Sequence, residues 1–167
     1  PISGLKGKLG SLANRLNGSP ARDLKVVAVT GTNGKTSVVD LTAQLLRRIG
    51  RKTGTIGTLG MRLDQKRIET RNTTPDCLAL QRQLRQWRDD GVECVTIEAS
   101  SHALDQGRLD GLAVDVGVFT NLSRDHLDYH HSMDAYCEAK LKLFREFEPV
   151  SRIYNADDEA VVTHSDI

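Results

Sequence analysis

One short segment limits the folds open to this chain more than any other: Gly31-Thr32-Asn33-Gly34-Lys35-Thr36. The β-branched run Val26-Val27-Ala28-Val29 precedes it and reads as a buried strand. Ser37 to Ile49 follows and reads as a helix, with Val38, Leu41, Leu45 and Ile49 on one side and Gly50 as its stop. A glycine turn between a strand and a helix is the setting of a phosphate loop. Glycines let the backbone curl until successive N–H groups face phosphate oxygens, and the helix N-terminus adds partial positive charge. Gly31, Thr32, Asn33, Gly34, Lys35, Thr36 and Ser37 are therefore the candidate nucleotide cradle. Lys35 would reach the β- and γ-phosphates, and Thr36 would offer its hydroxyl to Mg2+. The match to G-x-x-x-x-G-K-[ST] is incomplete, because Val29 stands where the first glycine falls.

The same alternation continues along the chain. Thr53 to Ile56, Val92 to Ile97, Val114 to Phe119 and Arg152 to Asn155 read as strands, and Met61 to Thr70 as a hairpin around Asp64-Gln65-Lys66. A helix is expected from Thr74-Pro75-Asp76 to about Asp90, with the Thr74 hydroxyl as cap and Leu80, Leu84 and Trp87 inward. Another is expected from Met133 to Phe147, capped by Ser132. Strands separated by helices of this length predict an α/β fold, a doubly wound and mainly parallel sheet with the phosphate loop after its first strand. Ile2, Leu5, Leu9, Leu12 and Leu16 recur at helical spacing before Gly18-Ser19-Pro20. Residues 1–20 are therefore expected to be a connector helix from a preceding domain. Residues 21–167 are expected to form a nucleotide-binding domain truncated at its C-terminal end, because a doubly wound sheet would usually continue.

Bulk properties exclude several classes. A formal net charge of +1, with both signs interspersed, argues against nucleic acid and membrane partners, and only 4% aromatic residues leaves little surface for stacking bases. Cys77, Cys94 and Cys137 are far apart, which disfavours a disulfide framework or a cysteine-rich zinc site and fits a reducing cytoplasm. No apolar run approaches the roughly 20 residues that span a bilayer.

Several polar residues fall where such a sheet does chemistry. Glu98 ends a predicted parallel strand, the edge at which open α/β sheets bind ligands, and could hold Mg2+ opposite Thr36. His126 follows a strand in the same way, whereas His130 and His131 read as solvated side chains on the surface. Ser100, Gln106 and Arg108 offer neutral hydrogen-bonding groups and a guanidinium fork suited to diphosphate or carboxylate. Asn72-Thr73-Thr74 alone is a polar loop with a helix cap, and a helical lysine such as Lys140 is ordinarily a solvated charge. Asn155-Ala156-Asp157-Asp158 reads as a helix start.

The wording Val29-Thr30-Gly31-Thr32-Asn33-Gly34-Lys35-Thr36 resembles the phosphate loop of the Mur ligase superfamily. Asn72-Thr73-Thr74-Pro75, Glu98-Ala99-Ser100-Ser101-His102-Ala103-Leu104 with Gln106 and Arg108, Phe119 to His130, and Tyr136-Cys137-Glu138-Ala139-Lys140 resemble the same family in the same order, and within it the tripeptide synthetases. The resemblance covers about residues 20–160. It implies an ATP-dependent ligase that adds meso-diaminopimelate or L-lysine to UDP-N-acetylmuramoyl-L-alanyl-D-glutamate through an acyl phosphate. It further implies that Asn72, Thr73, Thr74, Ser100, Gln106 and Arg108 hold the UDP-linked substrate. His126 with Glu98 could ligate a second cation beside the Mg2+ at Thr36; by the same resemblance a carbamate on Lys140 acts toward Mg2+, and Asn155 lies near adenine. The catalytic set is then Lys35, Glu98, His126 and Lys140, within a monomer at full length, flanked by uridine- and amino-acid-binding domains. Folylpolyglutamate and cyanophycin synthetases have similar loops. A kinase or NTPase of another class would carry the first loop glycine and an aspartate-ended strand, and a fragment that binds nucleotide without turnover remains a third reading.

Overall fold

The apolar runs become the strands of one seven-stranded sheet in the computed structural model, which describes residues 4–164. In chain order the strands are β1 (Lys25–Thr30), β2 (Thr53–Gly57), β3 (Gly60–Leu63), β4 (Lys66–Ile68), β5 (Cys94–Glu98), β6 (Val116–Phe119) and β7 (Ser151–Tyr154). Their spatial order is β4-β3-β2-β5-β1-β6-β7. Strands β2, β5, β1, β6 and β7 run parallel, and β3 and β4 add the expected antiparallel hairpin at one edge. The order reverses around β1, so the loops after β1, β5 and β6 converge at one switch point.

Close approach selects the residues on each face of the sheet. Helix α1 spans Leu9–Leu16, α2 Lys35–Arg48 and α3 Cys77–Asp89. Beyond them lie α4 (Ser101–Asp105), α5 (Leu127–His130), α6 (Met133–Arg145) and α7 (Glu159–Val162). One face receives α3 and α6: a Cβ at Gly54 would lie 2.5 Å from the Trp87 ring, and one at Gly117 would lie 2.9 Å from Phe144. The other face receives α2, which packs on β1, β2 and β5. Leu80, Leu84, Trp87, Leu141, Leu143 and Phe144 join Val26, Ala28, Val95 and Ile97 in one core.

Three local expectations need correction. Helix α2 buries Val39 and Ala43, while Leu41 and Ile49 are 58% and 73% exposed and Leu45 is exposed with them. In α1 it is Gly10 and Ala13 that are buried, Leu12 and Leu16 are exposed, and Ile2 lies outside the described residues. A Cβ at Gly10 would lie 2.3 Å from Asp110, so α1 sits against that backbone through its smallest residues rather than its leucines. The cap of α3 is Asp76, whose carboxylate accepts from the N–H groups of Leu78 and Ala79; Thr74 is used elsewhere. The Ser132 cap on α6 is as expected, its hydroxyl accepting from the Ala135 N–H at 3.1 Å.

Candidate functional site

The glycine loop leaves β1 and turns into α2 through two residues of positive φ, Gly31 (137°) and Gly34 (83°). Space as well as conformation demands glycine at 31, because a Cβ there would lie 2.0 Å from Thr120 Oγ1. The chain following β6 braces the loop. Asn121 accepts from the Thr32 and Asn33 N–H groups and donates to the Asn33 carbonyl, which also receives the Thr120 hydroxyl at 2.6 Å. Gly31→Ala is expected to destabilise the fold by about 1–3 kcal/mol and to abolish binding of an ATP analogue. Thermal melting and fluorescence titration of the two forms check this, and an unchanged melting point would show that the loop is not built around this glycine.

Lys35 Nζ donates to the carbonyls of Gly31 (2.9 Å) and Thr32 (2.8 Å), folded over its own loop and half-buried rather than fully exposed. Burial lowers its pKa, against the opposing pull of Glu98 and Asp125. Thr36 donates to Glu98 Oε1 at 3.0 Å. Glu98, 1% exposed at the end of β5, also accepts the Thr58 N–H (2.9 Å) on Oε1 and the Thr58 hydroxyl (3.2 Å) on Oε2. Among the described residues, Oε2 takes that one hydrogen bond, so it keeps acceptor capacity for a cation or donor in the cavity. A Cβ at Gly57 would lie 2.1 Å from this carboxyl group, so the end of β2 is shaped around it.

Lys140 lines the same space. Residues Tyr136, Cys137, Ala139, Leu141, Leu143 and Phe144 of α6 are buried around it, and Lys140 itself is 1% exposed. Its Nζ donates to the Gly31 carbonyl at 2.8 Å and sits 4.1 Å from the centre of the Tyr136 ring. Desolvation first, and the nearby Lys35 charge second, lower its pKa to about 7. The Tyr136 hydroxyl donates to Thr32 Oγ1 at 3.2 Å. His126, at positive φ before α5, is half-exposed, with Nε2 3.6 Å from Asp125 Oδ2.

A cavity of about 490 Å3 brings most of the sequence-derived residues together. The loop residues Thr32 to Thr36 line it together with Glu98, His126 and Lys140 and with Asn72, Thr73, Ser100 and Arg108. Gly31 does not line it, but its carbonyl accepts from both Lys35 and Lys140. Thr74 is buried, donating to the Glu98 carbonyl at 2.6 Å, and does not line it. Ser37 and Asn155 stand outside it; Asn155 follows β7, where its Oδ1 accepts the Asp157 N–H, and the cap of α7 is Asp158. Gln106 is also outside, bonded to Arg108 and Tyr129.

Thr58, Ser101, His102 and Tyr136 line the cavity without having been singled out from the sequence. Tyr136 carried a signal, one helical turn before Lys140 on the same face. Histidine 130 needs correction: it is buried, its Nε2 3.0 Å from Ser101 Oγ, and burial lowers its pKa. His131 is exposed as expected. The three cysteines are free thiols, no group of three His, Cys, Asp or Glu side chains suited to a metal occurs among the described residues, and none of the described helices is long and apolar enough to cross a membrane.

The profile of the Mur ligase middle domain matches residues 29–166. The chain is 50% identical, over 94% of its length and 32% of the relative's, to the UDP-N-acetylmuramoyl-L-alanyl-D-glutamate--2,6-diaminopimelate ligase of Xylella fastidiosa (strain Temecula1). It is also 50% identical, over 95% of the chain and 33% of the relative, to the ligase of that name from Pseudomonas syringae pv. tomato. It thus spans about a third of the length of the curated relatives it matches. A solved structure of a ligase of that name superposes with a TM-score of 0.79 at 36% identity, over 93% of this chain and 33% of that one. MurF from Acinetobacter baumannii shares the fold at 19% identity and a TM-score of 0.69, over 94% of this chain and 32% of that one.

Proposed function

This chain belongs to the Mur ligase family through its middle domain, and on that premise we propose that it is the ATP-binding core of a ligase that adds one amino acid to a UDP-linked muramoyl dipeptide. The reading rests on one observation above all: the glycine loop with Lys35 and Thr36 shares a single cavity with Glu98, Lys140, Asn72, Thr73, Ser100 and Arg108. A triphosphate on the glycine loop and a carboxylate substrate would share this one cavity with Glu98.

The γ-phosphoryl of ATP moves to the terminal carboxylate of the dipeptide, leaving ADP and an acyl phosphate. The amine of the incoming amino acid attacks that carbonyl carbon, inorganic phosphate departs with the bonding pair, and the amine proton is released. The chain's part is placement and charge neutralisation. The loop N–H groups and the N-terminus of α2 receive the phosphates, and Lys35 exchanges its loop carbonyls for phosphoryl oxygens. Asn72, Thr73, Ser100 and Arg108 orient the dipeptide. Mg2+ would be held by Thr36, Glu98, His126 and a carbamate on Lys140, and would neutralise charge developing on the phosphoryl oxygens. The buried Glu98 Oε2 and the Thr36 hydroxyl are hard oxygen donors of the kind that ion takes.

Relatives named for 2,6-diaminopimelate favour that amino acid over L-lysine. In this reading residues 1–20 connect from a uridine-binding domain, residues 21–167 contribute to the middle domain, and a further domain binds the amino acid. The protein works as a monomer in the cytoplasm, where its thiols stay reduced. Supplying the full-length protein with UDP-N-acetylmuramoyl-L-alanyl-D-glutamate, ATP, Mg2+ and each amino acid should give ADP and one tripeptide product with diaminopimelate. Product with L-lysine alone would overturn the amino acid assigned, and ADP release that ignores the UDP-linked substrate would overturn the ligase.

A further inference from the structure

A chain of hydrogen bonds with a fixed direction leads to Arg108, a residue of the cavity lining. Lys142 Nζ donates to Asp105 Oδ1 at 3.0 Å, and the Tyr129 hydroxyl donates to Asp105 Oδ2 at 3.0 Å. Gln106 Nε2 donates to the Tyr129 hydroxyl at 3.1 Å. Gln106 Oε1 accepts two bonds from Arg108, from Nε at 3.0 Å and Nη2 at 2.5 Å, and Arg108 Nη1 donates to the Thr74 carbonyl at 3.1 Å. The run joins α4, α5 and α6 to the loop before α3. Arg108 alone of these side chains lines the cavity.

The direction follows from what each group can do. A carboxylate only accepts, so the Tyr129 proton points at Asp105. The hydroxyl oxygen is then free to accept, which draws the amide NH2 of Gln106 toward it. That leaves the amide oxygen facing Arg108, where a guanidinium has donors alone. Were the hydroxyl to donate toward Gln106 instead, the amide would turn its NH2 against the guanidinium, donor facing donor. Lys142 and Tyr129 both hold the Asp105 carboxyl below its usual range, so it stays an acceptor at neutral pH. With Nε, one N–H of Nη1 and one of Nη2 engaged, the planar fork is fixed in orientation and keeps two N–H groups for a ligand.

We infer that Tyr129 and Asp105 are positioning residues that set the orientation of the Gln106 amide, and through it aim the Arg108 guanidinium at the UDP-linked substrate. This rests on the proposed reading of Arg108 as a residue that binds that substrate. The Tyr129 ring also packs 4.2 Å from that of His102, and phenylalanine keeps this contact while deleting the hydroxyl. Asp105→Asn preserves shape and inverts the chain: with its oxygen retained by Lys142, its NH2 donates to Tyr129, which must then donate to Gln106 and turn the amide.

The test is steady-state kinetics on the full-length ligase, varying the UDP-linked substrate and ATP in turn. Tyr129→Phe and Asp105→Asn are each expected to raise KM for the UDP-linked substrate about threefold to tenfold, as for loss of one oriented hydrogen bond. KM for ATP, kcat and the melting temperature should hold near wild type, and the double variant should be no worse than the poorer single one, since the chain breaks only once. Arg108→Lys is the reference and should raise the same KM further, because a point charge does not replace a planar fork. A raised KM in Arg108→Lys with wild-type values in both relay variants would overturn the relay and leave the substrate reading intact. An unchanged KM in Arg108→Lys would overturn both. Equal rises in both KM values with a lowered melting temperature would reduce the network to a structural fastening and overturn the proposal.

Discussion

Lys140→Ala in the full-length protein is expected to lose about a hundredfold or more of its ligase activity, and added acetate is expected to restore part of it. Lys140 is 1% exposed, yet its partners are the Gly31 carbonyl and the face of Tyr136. Carboxylates enter only as charges tempering its pKa, with Asp125 the one that raises it. An ammonium there would repel a cation held by Glu98 and His126. Carbamate formation needs the neutral amine, and a pKa near 7 supplies a substantial neutral fraction at neutral pH. In the proposed modification the amine would attack CO2 and lose a proton, becoming an anion with two oxygens in place of the ammonium. Acetate entering the space left by alanine would replace that carboxylate-like group, whereas chloride at equal ionic strength should not. High activity of Lys140→Ala without added acid would rule the carbamate out.

The same residue predicts a pH dependence of stability. Its folded pKa is lowered from 10.5 to about 7, so between those values the unfolded chain binds the more protons. Stability should therefore rise with pH across that window and fall as pH drops toward 7. Melting curves in CO2-free buffer check the slope, which Lys140→Met should flatten.

How far the sequence carries depends on the range of the interactions concerned. The strand, loop and helix around Gly31 were legible because period and glycine are local signals, and the parallel sheet followed from the alternation of elements. Which side of α2 is buried was not legible. Leu41, Leu45 and Ile49 form a convincing apolar stripe, yet α2 packs on the sheet through Val39 and Ala43. Thr74 looked like a helix cap because its hydroxyl has the right chemistry, but it donates to the Glu98 carbonyl across the sheet edge. The burial of His130 depends on Ser101 from another helix, which a His-His pair in a polar run does not announce. Lys140 could have been suspected from helical period alone, since Tyr136, Leu143 and Phe144 lie one turn to either side of it and are buried. Thr58 and the relay through Tyr129 join residues far apart in the chain, and local pattern holds no trace of them.

Lys35→Ala should abolish productive ATP binding and lower turnover about 10²- to 10³-fold, while changing stability by about 1 kcal/mol or less. The ammonium is held by two carbonyls of its own loop, Gly31 and Thr32, and one of these it shares with Lys140. A triphosphate offers charged oxygens in place of those neutral acceptors, so the exchange favours the nucleotide through charge-assisted hydrogen bonds. Removing Lys35 also removes the charge that, after desolvation, most depresses the Lys140 pKa. The Lys140 amine would then hold its proton more tightly, and the carbamate would form less readily. Lys35→Ala should thus weaken both halves of the site, and acetate should rescue it far less than it rescues Lys140→Ala, because the missing group is a cation at the phosphates. Titration of a fluorescent ATP analogue with Mg2+, with melting curves on the same samples, separates lost binding from lost fold. Wild-type affinity together with wild-type turnover in Lys35→Ala would remove the phosphate loop from the mechanism.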